Sequence, residues 1–333
     1  MHPCFRRLVP FVFPWFCLSQ LHAAISIDTV PVGATAGNVA YDYRIGTYEV
    51  TNAQYVAFLN AVAADDPHGL YNPYMEDPEI VAAGGGIARV GSAGSYQYAV
   101  TAGAGNYPVR LVSFYDAARF CNWVTNGQPV GPSNLSTTES GMYYLGGVSQ
   151  PQNNQIVRLL KFQNGQNGVA LPSSSEWYKA GHYDPARGTS FDNYWKFATQ
   201  SDQNPLATGP NATHANSANY NNAVGGATPV GGYELAASYF GTYDQSGNVW
   251  EIFDSLWNTG DGSHLRREGG GSWANGATPI SKNYATSSFP YDEFIDMGFR
   301  IVTLDPIPEP GPVGYVSAFA CLVALWRKRR PLP

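Results

Sequence analysis

Asp244 and Glu251 stand seven residues apart on either side of a Gly247-Asn248 turn. This arrangement suits a hard cation. Calcium takes roughly six to eight oxygens, and a turned backbone supplies carbonyls between two acids. The alternative is a hydrogen-bonded turn in which Glu251 pairs with a nearby arginine. Other chemistry has less to work with. His68, His182, His214 and His264 are scattered, without a ligand spacing such as His-x-x-x-His, and each reads as solvated or turn-bonded. The acid pairs Asp65-Asp66 and Asp292-Glu293 have the composition of a glycosidase dyad. Side by side in loops, they read as solvated charge. No Gly-x-Ser-x-Gly elbow, phosphate loop or dinucleotide fingerprint occurs.

The thiol inventory depends on the two ends. Residues 1–24 carry Arg6 and Arg7, an apolar run from Leu8 to Leu18, and small residues at Ala23 and Ala24. That is the layout of a cleaved signal peptide. The run is short for a membrane anchor, and Pro10 and Pro14 interrupt it. Residues 306–333 contain Pro308-Glu309-Pro310, an apolar stretch from Val313 to Trp326, and the basic cluster Arg327-Lys328-Arg329-Arg330. The cluster should stay cytoplasmic and leave the body outside. These three parts, in this order, resemble a PEP-CTERM sorting signal; a plain tail anchor is the alternative. The resemblance implies processing by an exosortase-type enzyme and transient membrane anchoring in a Gram-negative bacterium that makes exopolysaccharide. With Cys4 and Cys17 in the leader and Cys321 in the tail, only Cys121 remains in the body. No intramolecular disulfide can form there, although the compartment would permit one.

Between the ends, residues 25–305 read as one domain with an α+β pattern. Only 13% of the chain is charged, about half the usual share. The abundance of Gly, Pro and Tyr points to a loop-rich, polar-aromatic body of extracellular character. With a net charge of -6 and no basic stripe, nucleic acid is not an expected partner.

Thr51 with Gln54 predicts a capping box before a helix that carries Val56, Leu59 and Val62. Residues 65–107 read as an irregular insert whose tail, residues 94–100, alternates like a hairpin strand. Ser113 with Asp116 predicts a second capped helix, with Phe114, Ala117, Ala118, Cys121 and Val124 on one face. Ser173 with Glu176 predicts a third, burying Trp177 and Ala180. After Gly181 the turn-forming residues predict short strands and long loops.

Six blocks then carry a second resemblance. They are Tyr48 to Asn52, Pro108-Val109 with Val112-Ser113, Leu171-Pro172 with Glu176-Trp177, Tyr243 to Glu251, Gly269 to Trp273, and Gly298-Phe299-Arg300. In this order they resemble the formylglycine-generating enzyme, or sulfatase-modifying factor, family. The resemblance implies a modified C-type-lectin-like fold, low in regular secondary structure and stabilised by calcium. Carried over, Asp244 and Glu251 would ligate calcium through side chains, and Gly247 and Val249 through carbonyls. At a second site Asn219 and Asn222 would use side chains, and Tyr220 and Val224 carbonyls; an ordinary Asn-rich loop is the competing reading.

The family's catalytic members oxidise a sulfatase cysteine with copper(I) held between two cysteines, since soft thiolates select that ion. The pair lies between the Gly-Gly-Ser block and Gly-Phe-Arg. Here that interval, Trp273 to Phe289, has no cysteine, so copper is not expected. Cys121, on an apolar helix face, reads as a small buried thiol. A related branch, the iron-dependent sulfoxide synthases, needs a histidine triad from an added helical domain, for which the chain has no room. Trp273 reads as core, and Arg300 as the partner of a buried carboxylate or carbonyls. The expectation is an exported, non-catalytic, calcium-stabilised module linked to exopolysaccharide. The alternatives are a formylglycine-generating oxidase and a lectin-like receptor whose ligand surface spans Trp273 to Phe289.

Overall fold

A computed structural model describes residues 24–34, 37–147, 156–158, 168–188, 192–211, 213–260 and 264–304. Residues 1–23 of the predicted leader and the Pro-Glu-Pro tail lie outside the described residues. The first strands are β1 (Thr29–Val32) and β2 (Tyr43–Gly46), followed by helix α1 (Asn52–Val62). A single 3-10 turn and the short helix α2 (Pro78–Ala82) lead to the hairpin β3 (Ile87–Val90) and β4 (Gln97–Val100). Helix α3 (Phe114–Thr125), strand β5 (Val169–Ala170) and helix α4 (Ser174–His182) come next. The last third holds β6 (Leu206–Ala207), β7 (Ser217–Ala218), β8 (Trp250–Asn258), β9 (His264–Gly269), β10 (Thr286–Ser288), β11 (Met297–Gly298) and β12 (Val302–Thr303).

Three helices start where the sequence says they should. Thr51, Ser113 and Ser173 each accept from the amide three residues on, and Gln54, Asp116 and Glu176 bond back to the cap amide. Each box satisfies amides that the first turn leaves open. The burial pattern is broader than predicted. Helix α1 buries Tyr55, Phe58, Leu59 and Val62, while Val56 stays half-buried. Helix α3 is buried from Phe114 through Val124 rather than on one face. It runs through the middle of the core, so its polar residues must find partners inside. Arg119 does so with Glu139, at 2.7 and 3.1 Å. Asn122 donates to the carbonyls of Thr138 and Tyr143.

Two four-stranded sheets frame the molecule, in the orders β1-β2-β12-β5 and β10-β9-β8-β11. Strand β12 lies antiparallel between β2 and β5, so the end of the domain closes against its beginning. Strand β11 is parallel to β8 and places Gly298 beside Glu251. The insert is more regular than its composition suggests, because the β3–β4 hairpin packs on α1, with Asn60 bonding both backbone groups of Tyr98. The region after Gly181 holds one long element, the nine-residue β8. Its alternation is masked because both faces are covered along the buried stretch.

Candidate functional site

The Asp244–Glu251 segment is shaped by its backbone. Asp244 and Asn248 adopt left-handed conformations, at φ 64 and 61, which Asp and Asn tolerate better than most residues. Gly247, at φ +115, brings the chain so near residue 219 that an added Cβ would lie 2.3 Å from the Asn219 carbonyl oxygen. Three cross-chain amide bonds hold the segment: Gly247 to the Gly270 carbonyl at 2.8 Å, Asn248 to that of Asn219 at 2.9 Å, and Trp273 to that of Asn248 at 2.9 Å. Thus the Asn-rich run, the Gly-Asn turn and the Gly-Gly-Ser-Trp block meet at one place.

Glu251 is fully buried and committed to a cation of the protein's own. Arg300 donates to both of its oxygens, Nε to Oε2 at 2.5 Å and Nη2 to Oε1 at 2.6 Å. Trp177 Nε1 adds a third bond at 2.7 Å. The remaining donors of Arg300 reach the carbonyls of Gly46, Thr47 and Tyr243. For this residue the structure has the arginine pairing, the alternative left open by the sequence.

Asp244 has a different environment. Its Oδ2 accepts from the Gly231 amide at 2.6 Å. Burial, and then the charge of Glu251, push its carboxyl up to about 6, against the pull of Gly231 and Arg300. Glu49, 2% exposed, is raised well above the usual range by burial and by the charge of Asp244. Asn248 Nδ2 donates to Glu49 Oε1 at 2.9 Å, while Glu49 Oε2 has no hydrogen-bond partner. Three carboxylates therefore share the field of one guanidinium. Sequence reasoning gave Glu49 no role; its place in the Tyr48–Asn52 block was the available signal.

Asp244, Gly247, Asn248 and Asn219 line a cavity of about 10 Å³, room for a single water-sized guest. Asn219 Oδ1 is buried without a partner. An orphaned amide oxygen, an under-compensated carboxylate and a turned backbone form a donor set that fits a hard cation. Among the described residues, no three His, Cys, Asp or Glu side chains converge as ligands. A cation here would depend on one carboxylate plus amide and carbonyl oxygens, a low charge count that weakens binding.

The other residues predicted as ligands lie beside this segment. Val249 is buried against Trp273 and Ala227, and Tyr220 sends its hydroxyl to the Pro205 carbonyl at 2.6 Å. Asn222 is exposed and donates its amide to the Trp273 carbonyl. Val224 is exposed too. Asp244 and Gly247 of the first predicted site and Asn219 of the second line that one cavity.

The interval after the glycines is closed by ordinary packing. Asn275 Oδ1 accepts from the Ser272 amide and hydroxyl at 2.8 and 3.0 Å, and Ile280 is fully buried. Cys121 is also fully buried, and desolvation pushes its thiol well up. Two expectations need correcting. His182 is buried rather than solvated: its ring packs on Trp177 and Tyr178, Nδ1 lies 3.1 Å from the Trp195 carbonyl, and burial pushes it down to about 3. Asp66 and Glu293 are not free surface charge. Asp66 accepts from the amides of Leu70 and Tyr71, and Glu293 from Asn72.

A family model for the sulfatase-modifying factor enzyme 1-like domain matches residues 28–304. The crystal structure of CarF is similar at a TM-score of 0.50 and 21% identity, covering 84% of this chain and 98% of that one. Treponema denticola variable protein 1 has a TM-score of 0.45 at 18% identity, covering 85% and 93%. PvdO from Pseudomonas aeruginosa has a TM-score of 0.41 at 17% identity, covering 84% and 91%. No curated protein matches the chain. The likeness to CarF concerns the fold alone.

Proposed function

For a chain that belongs to the sulfatase-modifying factor enzyme 1-like domain family, we propose a non-catalytic binding or structural module. In this reading it is exported, held by calcium, and associated with exopolysaccharide at the surface of a Gram-negative bacterium. An exosortase-type enzyme would process its tail. One observation carries the non-catalytic reading: the stretch from Trp273 to Phe289 has no thiol, and its turn is filled by the Asn275–Ser272 bonds and buried Ile280. Copper(I) oxidation of a substrate cysteine needs soft ligands at hand, and Cys121 is sealed inside the core.

Calcium is supported by the orphaned oxygens of Asn219 and Glu49 and by the charge imbalance around Arg300. Asp244, Asn219 and the Gly247 carbonyl are the candidate holders, and Glu251 would act by fixing Arg300. The ion would supply charge compensation to the segment that leads into β8. The test of the module reading is incubation of the purified protein with copper and a sulfatase-derived cysteine peptide. No aldehyde is expected on the peptide; its copper-dependent appearance would overturn the reading.

A further inference from the structure

We infer that the open cleft between the start of α4 and the 282–283 turn binds a neutral oligosaccharide. This deepens the binding-module reading and rests on it. The cleft has a volume of about 300 Å³, the small end of the range for ligand pockets. Tyr178, Tyr194, Lys282, Asp192, Asn283 and Asn38 line it together with the first two serines of α4. Every lining side chain carries a hydrogen-bonding group, none is aliphatic, and two bring an aromatic ring. That composition matches a polyhydroxylated ring, which offers hydroxyls at its rim and C–H groups on its faces.

The polar groups are already held in place. Lys282 pairs with Asp192 and donates to the Tyr194 carbonyl at 2.7 Å. The Tyr194 hydroxyl accepts from the Asn38 amide at 3.2 Å, and the Tyr178 hydroxyl donates to the Tyr284 carbonyl at 3.0 Å. Ser174 Oγ is buried without a hydrogen-bond partner. Asn283 and Asn38 are exposed at the rim, each with an amide able to donate and accept at once. The Lys282–Asp192 pair neutralises itself, so the cleft offers no net charge to an anionic sugar or a nucleic acid. A peptide would need apolar subpockets or a free strand edge, and the lining has no aliphatic side chain to form the former.

The test is titration calorimetry of the purified protein with cellotetraose, mannotriose and trigalacturonate. Binding of a neutral oligomer is expected, weakened at least tenfold by Asn283→Ala and by Asp192→Ala. Asn283 is exposed, so its truncation spares the core, and an unchanged melting temperature verifies folding. Silence toward both neutral sugars, binding of trigalacturonate alone, or neutral binding indifferent to both substitutions would overturn the cleft. The non-catalytic reading stands or falls separately, on aldehyde formation.

Discussion

Glu251 and Asp244 stand seven residues apart in different surroundings. Glu251 holds the buried Arg300 by two bonds, and removing one member of such a pair leaves an uncompensated charge. Glu251→Gln is therefore expected to cost about 3–5 kcal/mol, equally in chelator and in millimolar calcium. Asp244→Asn should cost less but abolish the rise in melting temperature expected of the wild type in calcium by linkage. Thermal melts of the three proteins with and without chelator distinguish the roles. If chelator leaves the wild-type melt unchanged, the calcium site is wrong; if Glu251→Gln alone removes the calcium effect, Glu251 is the ligand instead.

At the scale of elements, the glycine block shows why backbone conformation fixes residue type. Gly271 lies at φ +66, and an added Cβ would sit 2.7 Å from Ile280 Cγ2 and 3.0 Å from the Ile280 nitrogen. Both the left-handed backbone and the packed neighbour oppose a side chain. Gly271→Ala is expected to lose about 1–3 kcal/mol in denaturant unfolding. Gly276, which has open space around its Cβ position, should accept alanine within about 0.5 kcal/mol. Equal costs at the two positions would contradict the packing described. The same closeness lets Ile280 fill the space against Gly271.

For the molecule as a whole, Arg300 joins the sheets. It reaches the β2 carbonyl of Gly46 in one sheet and the β8 carboxylate of Glu251 in the other. Buried charge of this kind makes stability depend on pH. Burial pushes Glu268 and Glu293 up to about 7 and Asp116 to about 6, and it also raises Asp66 and Asp254. Unfolding returns these groups to about 4. Between about pH 4 and 7 the folded chain thus holds more protons than the unfolded one, and stability falls as pH rises. Buried His182, down at about 3, and His68, also lowered, act in the opposite sense below about pH 6.5. With Asp244 and Glu49, which burial also raises, seven carboxylates act against two imidazoles. In chelator, the melting temperature is expected to drop by several degrees from about pH 5 to about pH 7.5; a rise across that interval would refute the balance.

What the sequence determined by itself was local or written in ordered blocks. Thr51, Ser113 and Ser173 announce their helices because a capping bond spans three residues and needs no tertiary context. The six blocks identify the family because their order survives where periodicity is weak. Partner choice was settled only by the tertiary structure. Glu251 could as well have met a cation as Arg300, 49 positions away. Asn219, Asp244 and Gly247 share a cavity only because Gly247 lets two loops touch. Asp192 and Lys282 line one cleft although ninety positions separate them. Such contacts depend on how closely packed segments exclude water and force each buried charge to find a mate. No local pattern of residues records which mate it finds.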